Sequence, residues 1–227
     1  MGNPRGSRRS GVLVPVEGNR WMVVLVGLHG DMPPADCNGF RDYAATLITP
    51  TIFEAIRELQ PLAPIERYGL PASVRRHFDR LGFFPRGRLT TGDGRSLFNP
   101  AYGQGMSVRA QEGALLRRLL GRLSAESADP LAGLARAFFA EAQPLTDTPW
   151  WNAAVPDFVH PETTGERPPR LAQMLQCGVA LRRVAAEDAE VDRLMLEVQH
   201  LLKPRGALSD PALAARVSAA IDHGRTA

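Results

Sequence analysis

The strand-forming residues of this chain are concentrated near its beginning. Residues 11–16 and 20–28 are rich in Val and Leu and flank Glu17-Gly18-Asn19. This pattern predicts a β-hairpin, because Gly and Asn accept the positive φ that a tight turn requires. From residue 103 onward the apolar residues recur only at helical spacing. Strand signals at one end and helices at the other predict an α+β fold: a partial antiparallel β layer followed by a mostly helical C-terminal half.

A turn cluster at Asp31-Met32-Pro33-Pro34-Ala35-Asp36 leads into helices expected over residues 39–47 and 51–59, with Thr49 and Pro50 between them. Residues 64–70 are expected to form another strand and residues 73–81 a short basic helix carrying Arg75, Arg76, His77 and Arg80. An extended piece at 88–91 and a glycine-containing loop precede a long helix over 103–123. Further helices are expected at 130–142, 170–186, 189–202 and 211–223, with a Pro-rich, strandless stretch from 146 to 169. In the 189–202 segment Val191, Leu194, Met195, Val198, Leu201 and Leu202 form one stripe, the mark of a packing face. The same pass divides the chain into a β/α region (1–84), a central loop and helix (85–125) and a helical remainder (126–227).

Several function classes are set aside by composition. Lys and Arg exceed Asp and Glu by three residues (27 against 24) and are scattered, so no nucleic-acid footprint is expected. Cys37 and Cys177 form neither a C-x-x-C pair nor a zinc pattern with the five histidines, and no metal site is expected. Free thiols suit a reducing compartment. Behind the arginine-containing first ten residues the apolar run breaks at Pro15 and Glu17, too early for a signal peptide. No run approaches the roughly 20 apolar residues of a membrane helix, so a cytoplasmic protein with no membrane span is expected.

The segment Gly92-Asp93-Gly94-Arg95-Ser96-Leu97-Phe98-Asn99-Pro100-Ala101-Tyr102-Gly103-Gln104-Gly105-Met106-Ser107 is the informative one. An extended piece ends at an acidic residue, and a proline with two glycines then opens a long helix. Glycines let a flat ligand approach the backbone, since no Cβ intervenes. The unpaired N–H groups of the first helical turn favour negative charge on that ligand. Asp93 has the chemistry to accept hydrogen bonds from a polyol.

This segment resembles the second FAD-binding motif of the flavin-dependent hydroxylases and monooxygenases, in which Gly-Asp is followed by Pro-x-x-Gly-x-Gly at a helix start. The resemblance implies that Asp93, after Gly92, binds the ribityl chain. It also implies that Pro100 and the stretch Gly103, Gln104, Gly105 and Met106 present the helix N-terminus to the pyrimidine edge of the isoalloxazine. The hairpin, the Pro33-Pro34 loop, Arg75-Arg76-His77-Phe78, Pro149-Trp150 and the helical tail are similar to a bacterial FAD-dependent oxidoreductase subgroup related to the polyprenyl-methoxyphenol hydroxylases.

By that resemblance the function is an FAD-dependent, NAD(P)H-driven monooxygenation of a small organic substrate. No G-x-G-x-x-G follows a strand anywhere in the chain, so the pyrophosphate-binding turn of a dinucleotide fold is missing. The chain is therefore expected to be a truncated or split enzyme, inactive alone, whose Rossmann half comes from a separate chain or a longer gene. The alternative is a non-catalytic remnant or interaction module that does not hold FAD by itself. Arg95 departs from the family pattern, and either reaches a phosphate or clashes with the cofactor. Arg75, Arg76 and His77 read as a solvated basic face or as a pyridine-nucleotide contact, and Trp150 and Trp151 as packing or as a substrate platform. His200, among apolar helix positions, reads as structural. No nucleophile–base set is present, so no catalytic residue is assigned.

Overall fold

A computed structural model describes residues 8–123 and 127–226. The fold is α+β, with seven α-helices and two small antiparallel sheets of two strands each among the described residues. The chain forms two compact units, residues 1–71 with 160–164, and residues 72–159 with 165–227.

The first unit is built on the hairpin β1 (Arg9–Val16) and β2 (Arg20–Gly27). Gly18 and Asn19 both take positive φ, 74° and 53°, which is why this dipeptide closes the turn. Register pairs Gly11 with Leu25 and Leu13 with Val23 on one face, and Val12 with Val24 and Val14 with Met22 on the other. The first face packs on α1 (Cys37–Ala45) and α2 (Thr51–Ile56), where Leu25, Tyr43, Ala44 and Ile52 are buried together. Asp36 caps α1 by accepting from the Gly39 amide at 2.8 Å, and the Tyr43 hydroxyl donates to the Asp31 carbonyl at 3.0 Å. Residues 64–70, expected as a strand, form no ladder. Pro61, Pro64 and Pro71 offer no N–H, and most of the segment is exposed, so neither pairing nor burial holds it in a sheet.

In the second unit the expected basic helix at 73–81 is absent. β3 (Val74–Arg75) instead pairs with β4 (Ser96–Leu97), and Phe78–Arg80 makes one 3₁₀ turn. The β strand of the motif thus follows Asp93, whereas the sequence pattern placed it before. The core lies between α3 (Gly105–Leu120) and α4 (Leu134–Asp157), where Leu115, Leu119, Phe138, Phe139 and Ala142 bury together, and Phe78, Phe84 and Leu89 close over them.

Residues 146–169 hold no strand, as expected, but the helix expected to end at residue 142 does not: α4 continues through Pro144, Pro149 and Pro156. An interior proline removes a backbone bond and costs about 3 kcal/mol. Burial outweighs that cost: Phe138, Phe139, Ala142, Thr146, Pro149 and Ala153 line a single buried face at helical spacing. Trp150 and Trp151 lie half-buried along it. Helices α5 (Leu171–Glu187), α6 (Ala189–Gln199) and α7 (Pro211–Thr226) complete the unit around Val184, Ala185, Val191 and Leu213. The α6 stripe is buried only as far as Val198. Leu201 has φ 60° beyond the helix end, Leu202 is exposed, and so is His200.

Candidate functional site

The residues singled out at 92–106 do come together, held by groups that the motif itself does not contain. Gly92–Gly94 is a 3₁₀ turn, with Gly92 at φ 60°. It docks on α3 through Glu112, whose Oε2 accepts from the Gly92 amide at 2.7 Å while its Oε1 accepts from Arg95 Nε at 2.6 Å. Arg95 also donates to the Ala142 carbonyl at 3.1 Å. Arg95 and Glu112 are 2% and 1% exposed. Arg95 is thus an interior clamp that joins the turn to both α3 and α4. It neither reaches for a phosphate nor obstructs a ligand, which corrects both readings made from sequence.

A second clamp fixes the other end of the loop. The Asn99 side chain accepts from the Ala101 amide at 3.1 Å and donates to Asp157 at 3.2 Å, and the Tyr102 hydroxyl donates to Asp157 at 2.8 Å. Burial pushes the Tyr102 phenol well above its ordinary range, and the neighbouring Asp157 carboxylate raises it further. The Pro100–Tyr102 turn therefore sits on the C-terminal end of α4. Gly103 follows in the left-handed region at φ 67° and delivers the chain to α3.

Where the loop enters α3 the helix has no side-chain cap, so its first-turn N–H groups are left for solvent or a ligand. Nothing lies within 4 Å of a Cβ built on Gly103, and Met106 is 77% exposed. The backbone at Gly103 is thus open, with Met106 exposed near it. The space between Gly92 and Gly105 is different, because Arg109 runs along it. Its Nε lies 3.1 Å from a Cβ position on Gly92, and its Nη1 lies 3.6 Å from one on Gly105.

Arg109 is also ion-paired to Asp93, both side chains being about half exposed. Such a pair is screened by water and contributes about 0–1 kcal/mol, so a polyol hydroxyl could displace it. The Gln104 side chain turns inward, 4% exposed, with Nε2 donating to the Gln199 carbonyl at 2.9 Å. Only its main chain is in a position to meet a ligand.

The basic residues upstream are tethers. Arg76 donates to the carbonyls of Asp93 and Gly94, both at 3.2 Å, which bonds the candidate loop from behind. Arg75 pairs with Asp147 and donates to the Gln143 side-chain oxygen at 2.6 Å, and the Gln143 amide nitrogen donates to Asp79 at 3.3 Å. His77 stands 3.6 Å from Asp79. A groove of about 530 Å³ lies elsewhere, against α6 and α7, and its three cations are all engaged by its own acids: Arg193 and Lys203 pair with Glu197, and Arg216 with Asp188. Among the described residues no cluster of His, Cys, Asp or Glu is placed to hold a metal.

Sequence reasoning missed Arg109, Glu112 and Asp157. Glu112 did leave a signal. It interrupts the stripe Val108, Leu115, Leu119 on α3, and a carboxylate inside such a stripe requires a buried cation.

No family model matches the chain. Over 155 residues it is 33% identical to Protein Rv3254 of Mycobacterium tuberculosis. The match takes in 68% of this chain and 32% of that protein, so the chain spans about a third of the length of this curated relative.

Proposed function

We propose that the turn at Gly92–Gly94 and the N-terminus of α3 form the ring and ribityl side of an FAD site, in an oxidoreductase of the monooxygenase type. The observation that carries this reading is the pairing of an uncapped helix start, open over Gly103 and Met106, with an exposed carboxylate on the turn clamped beside it. Asp93 would accept hydrogen bonds from the ribityl hydroxyls once Arg109 releases it. The amides at Gly105 and Met106 would favour negative charge at the pyrimidine edge. When bound, FAD would supply the redox chemistry, taking reducing equivalents from NAD(P)H and passing them to oxygen, one atom of which would enter a small organic substrate while the other leaves as water.

Contacts to the adenosine half are absent from the chain's own motifs, so the reading assigns them to another segment or chain in the cytoplasm. Without about 4 kcal/mol of such contacts, affinity for FAD falls roughly a thousandfold. The chain alone should therefore bind FAD, FMN and riboflavin weakly and about equally, and should not oxidise NADPH. The Asp93–Arg109 pair favours the alternative of an interaction module, since it occupies the carboxylate the cofactor would need.

Flavin fluorescence titration of the full chain separates the two. Asp93→Ala and Gly105→Leu should each weaken riboflavin binding about tenfold or more, a tenfold change being about 1.4 kcal/mol. Gly103→Phe should do the same, although φ 67° strains any side chain there, so Gly105→Leu is the cleaner variant. Equal binding by all three, or none by the parent chain, would overturn the flavin assignment.

A further inference from the structure

The end of α3 remote from this site carries a surface of different character. The loop after the 3₁₀ turn at Phe78–Arg80 is anchored by Phe84, whose ring stacks on Phe139 with centroids 5.6 Å apart, and by Leu89 against the same core. A tight turn fixes it further: the Arg88 amide donates to the Pro85 carbonyl at 3.2 Å, with Gly87 at φ 72°. Phe83, beside the anchor, is held in water at 78% exposure, and Leu81 at 45%. Leu120 at the end of α3 and Leu131 just before α4 are exposed beside the same helix ends.

The charge carried by the loop itself is positive. Between Asp79 and Asp93 the chain has Arg80, Arg86 and Arg88 and no acid. Among the described residues Arg80 and Arg88 have no acidic partner. Arg86 meets Asp129 at 3.0 Å while remaining 74% exposed, and the Arg136 guanidinium lies 5.5 Å over the Phe84 ring. An exposed aromatic, with Leu81 exposed two residues before it and arginines at positions 80, 86 and 88 of the same loop, fits a surface that is anionic at its face and apolar just beneath. Nucleic acid offers phosphates and bases but no counterpart for Leu81, Leu120 and Leu131, whereas a bilayer offers both layers.

We propose that residues 80–88 form a peripheral docking surface for an anionic lipid bilayer. Leu81 and Phe83 enter the headgroup–acyl boundary, and Arg80, Arg86 and Arg88 sit against the lipid phosphates. No helix of the described chain is long and apolar enough to cross a membrane, so contact of this kind is made from one side. Leu120, beside this surface, lies about 20 Å along α3 from Gly105 at 1.5 Å per residue, and the proposal does not depend on the flavin assignment.

The test is flotation of the full chain on a density gradient with vesicles of phosphatidylcholine alone or containing about a third phosphatidylglycerol. Flotation should require the anionic lipid and weaken as salt is raised. Arg80→Gln and Arg88→Gln should each lower partitioning about fivefold. Phe83→Ser should lower it about tenfold, whereas Phe83→Trp should retain it. These side chains are exposed, so an unchanged melting temperature verifies that each variant is folded. Failure of the parent chain to float, flotation equal on neutral vesicles, or partitioning unchanged in the variants would overturn the proposal. Release from the vesicles by a single-stranded oligonucleotide, with oligonucleotide binding lost in the same variants, would also overturn it and assign the surface to nucleic acid.

Discussion

The two units of this chain solve the problem of a small core in opposite ways. In the N-terminal unit a hairpin apolar on both faces is covered on only one, and Val12, Met22 and Val24 on the other face are 40–50% exposed. The second unit closes its core and then buries a charged pair within it, Arg95 with Glu112. The first exposes as many large apolar side chains as the second, which is about twice as long. Polar groups enter the interior where a surrounding helix pair can supply partners, as α3 and α4 do for Arg95 and Glu112, whereas Ser96 Oγ and Gln104 Oε1 in the same unit are buried without one. A two-stranded sheet has too little structure around it for that, and two strands alone are marginal in water.

The contrast breaks most readily at Glu112. Glu112→Ala would leave a buried guanidinium and the Gly92 amide unpaired, and should cost about 3–5 kcal/mol in denaturant unfolding. Replacing both partners, as Arg95→Met with Glu112→Leu, should cost far less, because a buried ion pair exchanged for apolar residues of similar volume is often neutral. A small loss in Glu112→Ala would show that water reaches the pair and that the interior is less closed than the fold indicates.

A smaller effect is expected at Tyr102. Its phenol is held protonated by burial and by Asp157, so its pKa in the folded protein lies above the unfolded value of about 10. That contribution to stability is complete below about pH 10 and declines as pH rises toward the folded value. Tyr102→Phe should cost about 1 kcal/mol at neutral pH, the worth of the lost hydrogen bond. The difference from the parent should shrink above pH 10, since Phe carries no such linkage. A cost that stays constant to pH 11 would place the hydroxyl in water.

How much of this was legible in the sequence follows from the range of the forces involved. The β1–β2 hairpin and α1 were readable because Gly18-Asn19 and Asp36 act on their immediate neighbours. The α4 helix was not, since local preference ends a helix at Pro144 and Pro149, and only burial against α3 reverses it. At the candidate site the glycines, Pro100 and Asp93 were visible as a pattern. Their partners Glu112 and Asp157 lie 20 residues from Gly92 and 58 from Asn99, and pairings at that separation exist only once the fold does. The same limit explains why Arg95 read as a residue facing a phosphate or the cofactor, and Arg75 as part of a solvated basic face, although both are held by α4.

The smallest effect tests the other side of the comparison. If the outer face of the hairpin is open to water, Met22→Thr and Val24→Thr remove no packing, and Thr keeps the strand preference of a β-branched residue. Each should then change stability by no more than about 0.5 kcal/mol, as surface substitutions do. The same change at Val23, which packs on the helices, should cost more, because a hydroxyl there replaces a contacting methyl. Measuring all three by urea unfolding compares the two faces within a single strand. A loss above about 1.5 kcal/mol at Met22 or Val24 would mean that the face is covered in solution, since such losses come from buried positions. The N-terminal unit would then owe its stability to a second layer, as the helical unit owes its own to the packing of α3 on α4.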